Sequence, residues 1–302
     1  MSRVSVIMPL FNKENTVIRA VRSVLDQHHG DLELIVVDDG STDGSIERLR
    51  TIDDPRLQIH IQENAGPGAA RNNGAAKAQG ELLSFLDADD EWRADFLESA
   101  VRTLDELPFV VAYVCGYDAG AYRSHRPNKV VAIGKVGPQP PPVGVSGRVV
   151  KSHIDAMHSS CVVVRAAVFS EVGGYFTDYG CRYGEDSWLW LRVLYSGDVF
   201  WDPSEKSIFH VEDSDLGYAI TSRKLARPIV LFSDRLRTGI TSNYHGMIDL
   251  AVMTYAKLDY HSLVRSEAWE AAAMVRRQHK LGGAFMSARE HMQRLKTSLS
   301  KS

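Results

Sequence analysis

Leu34-Ile35-Val36-Val37-Asp38-Asp39-Gly40-Ser41 and Leu82-Leu83-Ser84-Phe85-Leu86-Asp87-Ala88-Asp89-Asp90 each set carboxylates at the end of an apolar run. A carboxylate beside a hydrophobic strand is costly unless something pairs with it. In an open sheet of parallel strands, ligands bind at the carboxyl edge. Two acidic tips on one such edge make a pocket suited to a divalent cation and, through it, a diphosphate. A nucleotide is the ligand this arrangement favours.

The flanking sequence repeats strand and helix. Val4-Ser5-Val6-Ile7-Met8 reads as a strand stopped by Pro9, and Val17, Val21, Val24 and Leu25 recur at helical spacing, predicting a helix over residues 14–27. A strand over 32–37 leads through Gly40-Ser41-Thr42-Asp43 into a short helix carrying Ile46 and Leu49, with Ser, Thr or Asp as its N-cap. Residues 57–61 give a third strand, Asn64-Ala65-Gly66-Pro67-Gly68 turns into an Ala-rich helix ending near Gly80, and 82–86 is the fourth strand. Repeated βα units predict an α/β fold with a doubly wound, mostly parallel sheet flanked by helices.

The rhythm breaks after a helix around 95–107 and a strand at 110–115. Residues 134–147, with Pro138-Gln139-Pro140-Pro141-Pro142, read as a long loop, because the strand-like Ser160-Cys161-Val162-Val163-Val164 follows soon afterwards. Such a loop either shapes a substrate site or is a plain surface excursion. Glu185-Asp186-Ser187 opens an apolar helix over 188–194, ended by Ser196-Gly197. Beyond about Asp215 strand signals fade, so the chain divides into an α/β unit over 1–215 and a C-terminal helical extension over 216–302.

Hydrophobic residues make up 44% and charged residues 24% of 302, with a formal net charge of -3. The chain is long enough for a substantial core and lacks the basic excess that nucleic acid binding needs. Cys115, Cys161 and Cys181 show neither metal-ligand spacing nor a secreted disulfide framework, so reduced thiols are expected. Met1-Ser2-Arg3-Val4 runs straight into a strand without a leader-like segment, which points to the cytoplasm. The segment from Arg276 is basic, with seven Lys or Arg against Glu290, and carries Leu281, Phe285, Met286, Met292, Leu295 and Leu299. It either docks on its own domain or lies peripherally on the inner face of an anionic membrane.

Individual residues suggest chemistry, each with a plainer alternative. Asp39 can accept the imide N–H of a pyrimidine on which Phe11 stacks, whereas Asp-Asp-Gly-Ser also simply forms turns. Along an extended segment Asp87 and Asp89 face the same way, with Ala88 leaving room. One carboxylate then suits ribose hydroxyls and the other a hard cation bridging two phosphates, against helix capping as the alternative. Asp186 suits a general base oriented by Glu185, although acidic residues also favour helix N-termini. His210 is an imidazole available to the same cation, or a packed residue. Arg71 points to the nucleotide or lies on a solvated helix face.

Taken in order, these segments resemble the family 2 glycosyltransferases of the GT-A fold. The resemblance rests on Val4-Ser5-Val6-Ile7-Met8-Pro9-Leu10-Phe11-Asn12, Val37-Asp38-Asp39-Gly40-Ser41-Thr42-Asp43, Asn64-Ala65-Gly66 with Ala70-Arg71-Asn72, Phe85-Leu86-Asp87-Ala88-Asp89-Asp90, and Gly173-Gly174-Tyr175 before Gly184-Glu185-Asp186. Together they cover roughly residues 3–212. It implies inverting transfer of one sugar from a nucleotide donor, a UDP-sugar by preference, to a hydroxyl of a growing glycan or a lipid-linked acceptor. Pro9, Phe11, Asp39, Arg71, Asp87 and Ala88 would form the donor site, with Asp39 reading the base and Asp87 the ribose. Asp89 would bind Mn²⁺ or Mg²⁺, Asp186 would be the base beside Glu185, and His210, ahead of Ser214, would be a second metal or diphosphate contact. Phe11 stands where relatives often have Tyr. The Gln-x-x-Arg-Trp motif and membrane helices of processive synthases are absent from the sequence, which favours single addition.

Two alternatives differ in class. A sugar-1-phosphate nucleotidyltransferase would carry a Gly-rich basic loop after the first strand, where this chain has Pro9-Leu10-Phe11-Asn12. A non-catalytic nucleotide-sugar binder would be favoured by loss of either acidic site, and both are intact.

Overall fold

The computed structural model describes residues 1–122, 128–213 and 224–282. Ser214 and residues 283–302, hence most of the basic terminal segment, lie outside the described residues.

Nine strands form one sheet: β1 (Val4–Leu10), β2 (Leu32–Asp38), β3 (Leu57–Ile61), β4 (Leu82–Phe85), β5 (Glu91–Trp92), β6 (Val110–Asp118), β7 (Gly137–Gln139), β8 (Val162–Arg165) and β9 (Asp198–Ile208). Their order is β3-β2-β1-β4-β8-β6-β9-β5, with β7 also paired to β9. β1, β2, β3, β4, β6 and β9 run one way, whereas β8, β5 and β7 run against them. The helices are α1 (Val17–Leu25), α2 (Ser45–Leu49), α3 (Pro67–Ala75), α4 (Phe96–Glu106), α5 (Lys129–Ile133), α6 (Gly147–Ala156), α7 (Ala166–Glu171), α8 (Glu185–Leu194), α9 (Pro228–Leu231), α10 (His245–Arg265) and α11 (Trp269–Gln278). Among the described residues no helix is long and apolar enough to cross a membrane.

Alternation along the central strands puts a core on each face of the sheet. Val6, Met8, Leu34 and Val36 pack with Val17, Val21, Phe96 and Val101 from α1 and α4. On the other face Ile7 and Phe85 join Leu189, Trp190 and Val193 of α8, and Ile248, Tyr255 and Leu263 of α10. The last helices therefore share a core with the first strands.

Three departures from the sequence expectations have clear physical reasons. β1 runs through Pro9, in register with Val37 of β2. The Ile7 carbonyl accepts from Leu86 on the β4 side and the Leu10 carbonyl from Asp39 on the β2 side. Alternation turns the Pro9 nitrogen toward β4, which has ended at Phe85, so no ladder bond is lost. The first helix starts at Val17 rather than 14 because Lys13 and Glu14 donate their backbone N–H groups to Ser45 Oγ (2.9 Å) and Asp43 Oδ2 (3.0 Å). Inside the predicted loop, Gly137–Gln139 adds an edge strand to β9. Its Gly-Pro-Gln sequence carries no strand signal, and an edge tolerates the proline.

Candidate active site

β1, β2 and β4 run parallel, and their carboxyl ends bring Leu10, Asp38 and the Asp87-to-Asp90 turn to one edge. Asp38 accepts from the Ser41 N–H and shapes its own turn. Asp39 is 3% exposed and binds a second loop: Oδ1 accepts from the Ala65 N–H (2.8 Å) and Gln62 Nε2 (2.8 Å), and Oδ2 from the Gly66 N–H (2.9 Å). Each carboxylate oxygen has two lone pairs, so Oδ2 keeps one for a ligand. Gly66, at φ +93°, lets the loop close this tightly. Asn64 donates to the Asp39 carbonyl, while its own buried Oδ1 has no partner among the described residues. Phe11, 45% exposed, stands after β1 as an uncovered ring.

Arg71 is buried, not on a solvated helix face. Nη2 lies 2.5 Å from Asp87 Oδ1, Nη1 lies 3.3 Å from Glu185 Oε1, and the guanidinium sits over the Tyr175 ring. α3 thus ties the tip after β4 to the start of α8. Burial would raise the Asp87 pKa, but Arg71, then His158, outweigh it and hold the carboxyl below its usual range.

Burial, aided by Asp87, raises the Asp89 pKa against the opposing ammonium of Lys13, whose Nζ lies 3.0 Å from Asp89 Oδ2. Lys13 Nζ also donates to the Asp213 carbonyl (2.9 Å). Asp90 is buried, accepts from Ser160 Oγ (2.8 Å), and is pushed well up by burial and then by Asp87 and Asp89. Asp87 thus faces Arg71 and Asp89 faces Lys13, with Asp90 a third carboxyl beside them, a balance that an added cation would relieve. Ala88 lies in the core beneath, its carbonyl accepting from Thr16 Oγ1 (2.8 Å).

The second acidic pair opens α8 after Gly184, at φ +77°. Glu185 is buried, and its pKa is pushed up to about 7 by burial first and Asp186 second, with Arg71 opposing. Asp186 is half-buried; Oδ1 accepts from the Ser187 N–H (2.6 Å) and hydroxyl (3.2 Å), and Oδ2 from no described residue. The sequence's capping alternative therefore accounts for one oxygen only.

His210 lies between Glu91 (3.2 Å) and Glu212 (3.5 Å). Among the described residues no three His, Cys, Asp or Glu side chains are gathered to hold a metal ion by themselves. Mg²⁺-type sites in nucleotide enzymes commonly use one or two carboxylates plus phosphate oxygens, and Asp89 is a donor of that kind. The sequence reading missed Lys13, whose signal was its place directly after a strand ending at the acidic edge. It also missed Tyr175, which packs on Arg71 as part of Gly173-Gly174-Tyr175.

The sequence profile described as glycosyl transferase family 2 matches residues 5–173. The Campylobacter jejuni GalNAc(5)-diNAcBac-PP-undecaprenol beta-1,3-glucosyltransferase is 36% identical over 110 residues, 35% of this chain and 36% of that protein. The chain spans less than half the length of the curated relatives it matches. The Pyrobaculum calidifontis mannosyltransferase PcManGT, solved with GDP-Man and Mn²⁺, superposes with a TM-score of 0.62 at 21% identity, covering 100% of this chain and 81% of that one. S. aureus TarS with UDP-GlcNAc gives 0.57 at 16% identity, covering 92% and 90%. These likenesses establish the GT-A fold with its mixed, mostly parallel sheet.

Proposed function

The chain belongs to glycosyl transferase family 2, and from that premise we propose that it moves a single sugar, with inversion, from a nucleoside diphosphate donor to an acceptor hydroxyl. The observation that carries this is Arg71, which holds Asp87 and Glu185 on one guanidinium and so gathers both acidic motifs into one site. Isolated capping residues would have no reason to share a buried cation.

Phe11 stacks on the base, packed beside Pro9 at the end of β1. The remaining lone pair of Asp39 Oδ2 accepts the imide N–H, which suits uracil. Asn64 Oδ1 is a second buried acceptor in the same loop. We assign a UDP-sugar as the donor. Asp87 accepts from the ribose hydroxyls, while Ala88, which the sequence placed in the donor site, packs in the core beneath.

Asp89 would hold Mn²⁺ or Mg²⁺ together with diphosphate oxygens, with His210 as a further contact on that side. Such a cation, when bound, neutralises charge on the leaving diphosphate. Lys13 adds a positive charge of the chain's own beside Asp89.

Asp186 takes the proton of the acceptor hydroxyl as that oxygen attacks the anomeric carbon from the face opposite the diphosphate. The bond from that carbon to the diphosphate oxygen breaks, and its electron pair leaves with the UDP. Glu185, fixed by Arg71, holds the turn that carries the base. The acceptor is a glycan end or a lipid-linked saccharide.

The test is calorimetry of UDP binding with and without Mn²⁺, in wild type and Asp89→Ala. Metal-enhanced binding in wild type that disappears in the variant is the expected result. An unchanged metal response removes Asp89 as a ligand, and failure to bind UDP, dTDP or GDP removes the donor site itself.

A further inference from the structure

The turn that carries Glu185 and Asp186 is clamped from outside the span matched by the family profile. Arg227, just before α9, donates from Nη2 to the Tyr183 hydroxyl (2.7 Å), and its guanidinium lies over the Tyr183 and Tyr255 rings at 5.2 and 5.1 Å. Its stem closes on Gly184: a Cβ there would come within 2.7 Å of Arg227 Cγ. Arg227 is fixed in turn by Asp259, at the heart of α10 and 2% exposed, which accepts from its backbone N–H (2.8 Å) and pairs with Nη1. Tyr255, one turn earlier on α10, is buried under the Arg227 guanidinium and donates its hydroxyl to Asp155 Oδ1 (3.2 Å).

The contacts to residues 183 and 184 in this group come from Arg227, the residue that α10 holds. A buried ion pair is a weak source of net stability but a strong constraint on geometry. Catalysis by a positioned base is sensitive to displacements of about 1 Å.

We infer that Arg227, held by Asp259 and packed between Tyr183 and Tyr255, is a positioning residue for Glu185 and Asp186, so that the C-terminal helices set the aim of the base. The assignment rests on Asp186 being the base, as proposed above.

The test uses the full chain and three variants. Tyr183→Phe removes one hydrogen bond and leaves both rings and the ion pair. Asp259→Asn removes the charge that fixes Arg227, and Arg227→Lys keeps the charge without the fork. Two readouts are taken: hydrogen exchange of the amides of residues 183–187, and UDP release from a UDP-sugar resolved into kcat and KM. In Tyr183→Phe, exchange at 183–187 should rise while α6 and α10 stay protected, and kcat should fall about 3–10-fold with donor KM unchanged. Asp259→Asn should lose more than Tyr183→Phe, and Arg227→Lys should not restore wild-type kcat. Wild-type exchange and kcat in Tyr183→Phe would overturn the inference. So would a uniform rise in exchange across α10 with kcat per folded molecule unchanged, since that describes a purely structural pair. If the wild type releases no nucleotide from any sugar donor, the proposed activity fails, and exchange at 183–187 alone then decides the clamp.

Discussion

Arg71 Nη1 stands 3.3 Å from Glu185 Oε1 in a buried setting, while the same guanidinium holds Asp87 with its other nitrogen. One residue of α3 therefore fixes the spacing between the proposed donor and base sides of the site. Replacing it by Met leaves buried Glu185 and partly buried Asp87 without their cation. Breaking such a pair costs about 3–5 kcal/mol, and chemical denaturation of Arg71→Met should register a loss of that order. Arg71→Lys should fall between, because an ammonium cannot reach both acids in fork geometry. Wild-type stability in Arg71→Met would mean that the bridge contributes little.

Glu185 gives the fold a pH dependence whose sign follows from its environment. Its pKa lies above the ordinary value of 4.5, at about 7, because of burial first and Asp186 second. A group raised in the native state favours folding most when protonated, so its contribution is complete below about pH 4.5 and is lost as pH rises through 7. Unfolding free energy measured from pH 5 to 8 should therefore fall less steeply in Glu185→Gln than in wild type. Identical slopes would remove Glu185 as the source.

The loop at residues 64–66 hangs on Asp39. Asp39→Ala leaves the Ala65 and Gly66 N–H groups without their acceptor, each at about 1–3 kcal/mol if they stay buried. Stability and UDP affinity should both drop. Asp39→Asn keeps one acceptor oxygen and should retain more stability while still losing affinity, because an amide N–H facing an imide N–H is repulsive. Calorimetry on both variants separates the turn-forming role from base reading.

The first four strands were legible because apolar runs ending in Gly, Asp or Pro punctuate the first 90 residues. β7 was not legible, since pairing with β9 rather than propensity makes it a strand. Asp39 and Asp89 could be read as acidic tips, but their pairing with Gly66 and Lys13 depends on loop geometry that spacing does not encode. Arg71 was ambiguous for a similar reason: a lone Arg in a small-residue helix looks solvated until Asp87 and Glu185 are known to surround it. Arg227 carries no local signal, because its meaning lies in Tyr183, distant in sequence, and Asp259, a full helix later.

Asp186→Asn is the most discriminating single change. Asn can still accept from the Ser187 N–H through Oδ1, so the start of α8 should stay intact, and the donor contacts lie on other elements. UDP affinity should therefore match wild type. A positioned base commonly supplies about 10²–10⁴-fold, and UDP release with acceptor present should fall by that order. The charge lost also lowers the Glu185 pKa, since Asp186 is among the groups that raise it. Carboxyl ¹³C NMR should then find Glu185 titrating below about 7. Turnover near wild type, with that downward shift observed, would place the base elsewhere while leaving the geometry of the pair intact. Reduced turnover with no shift would mean that the two carboxylates are less closely coupled in solution than their adjacent places at the start of α8 imply.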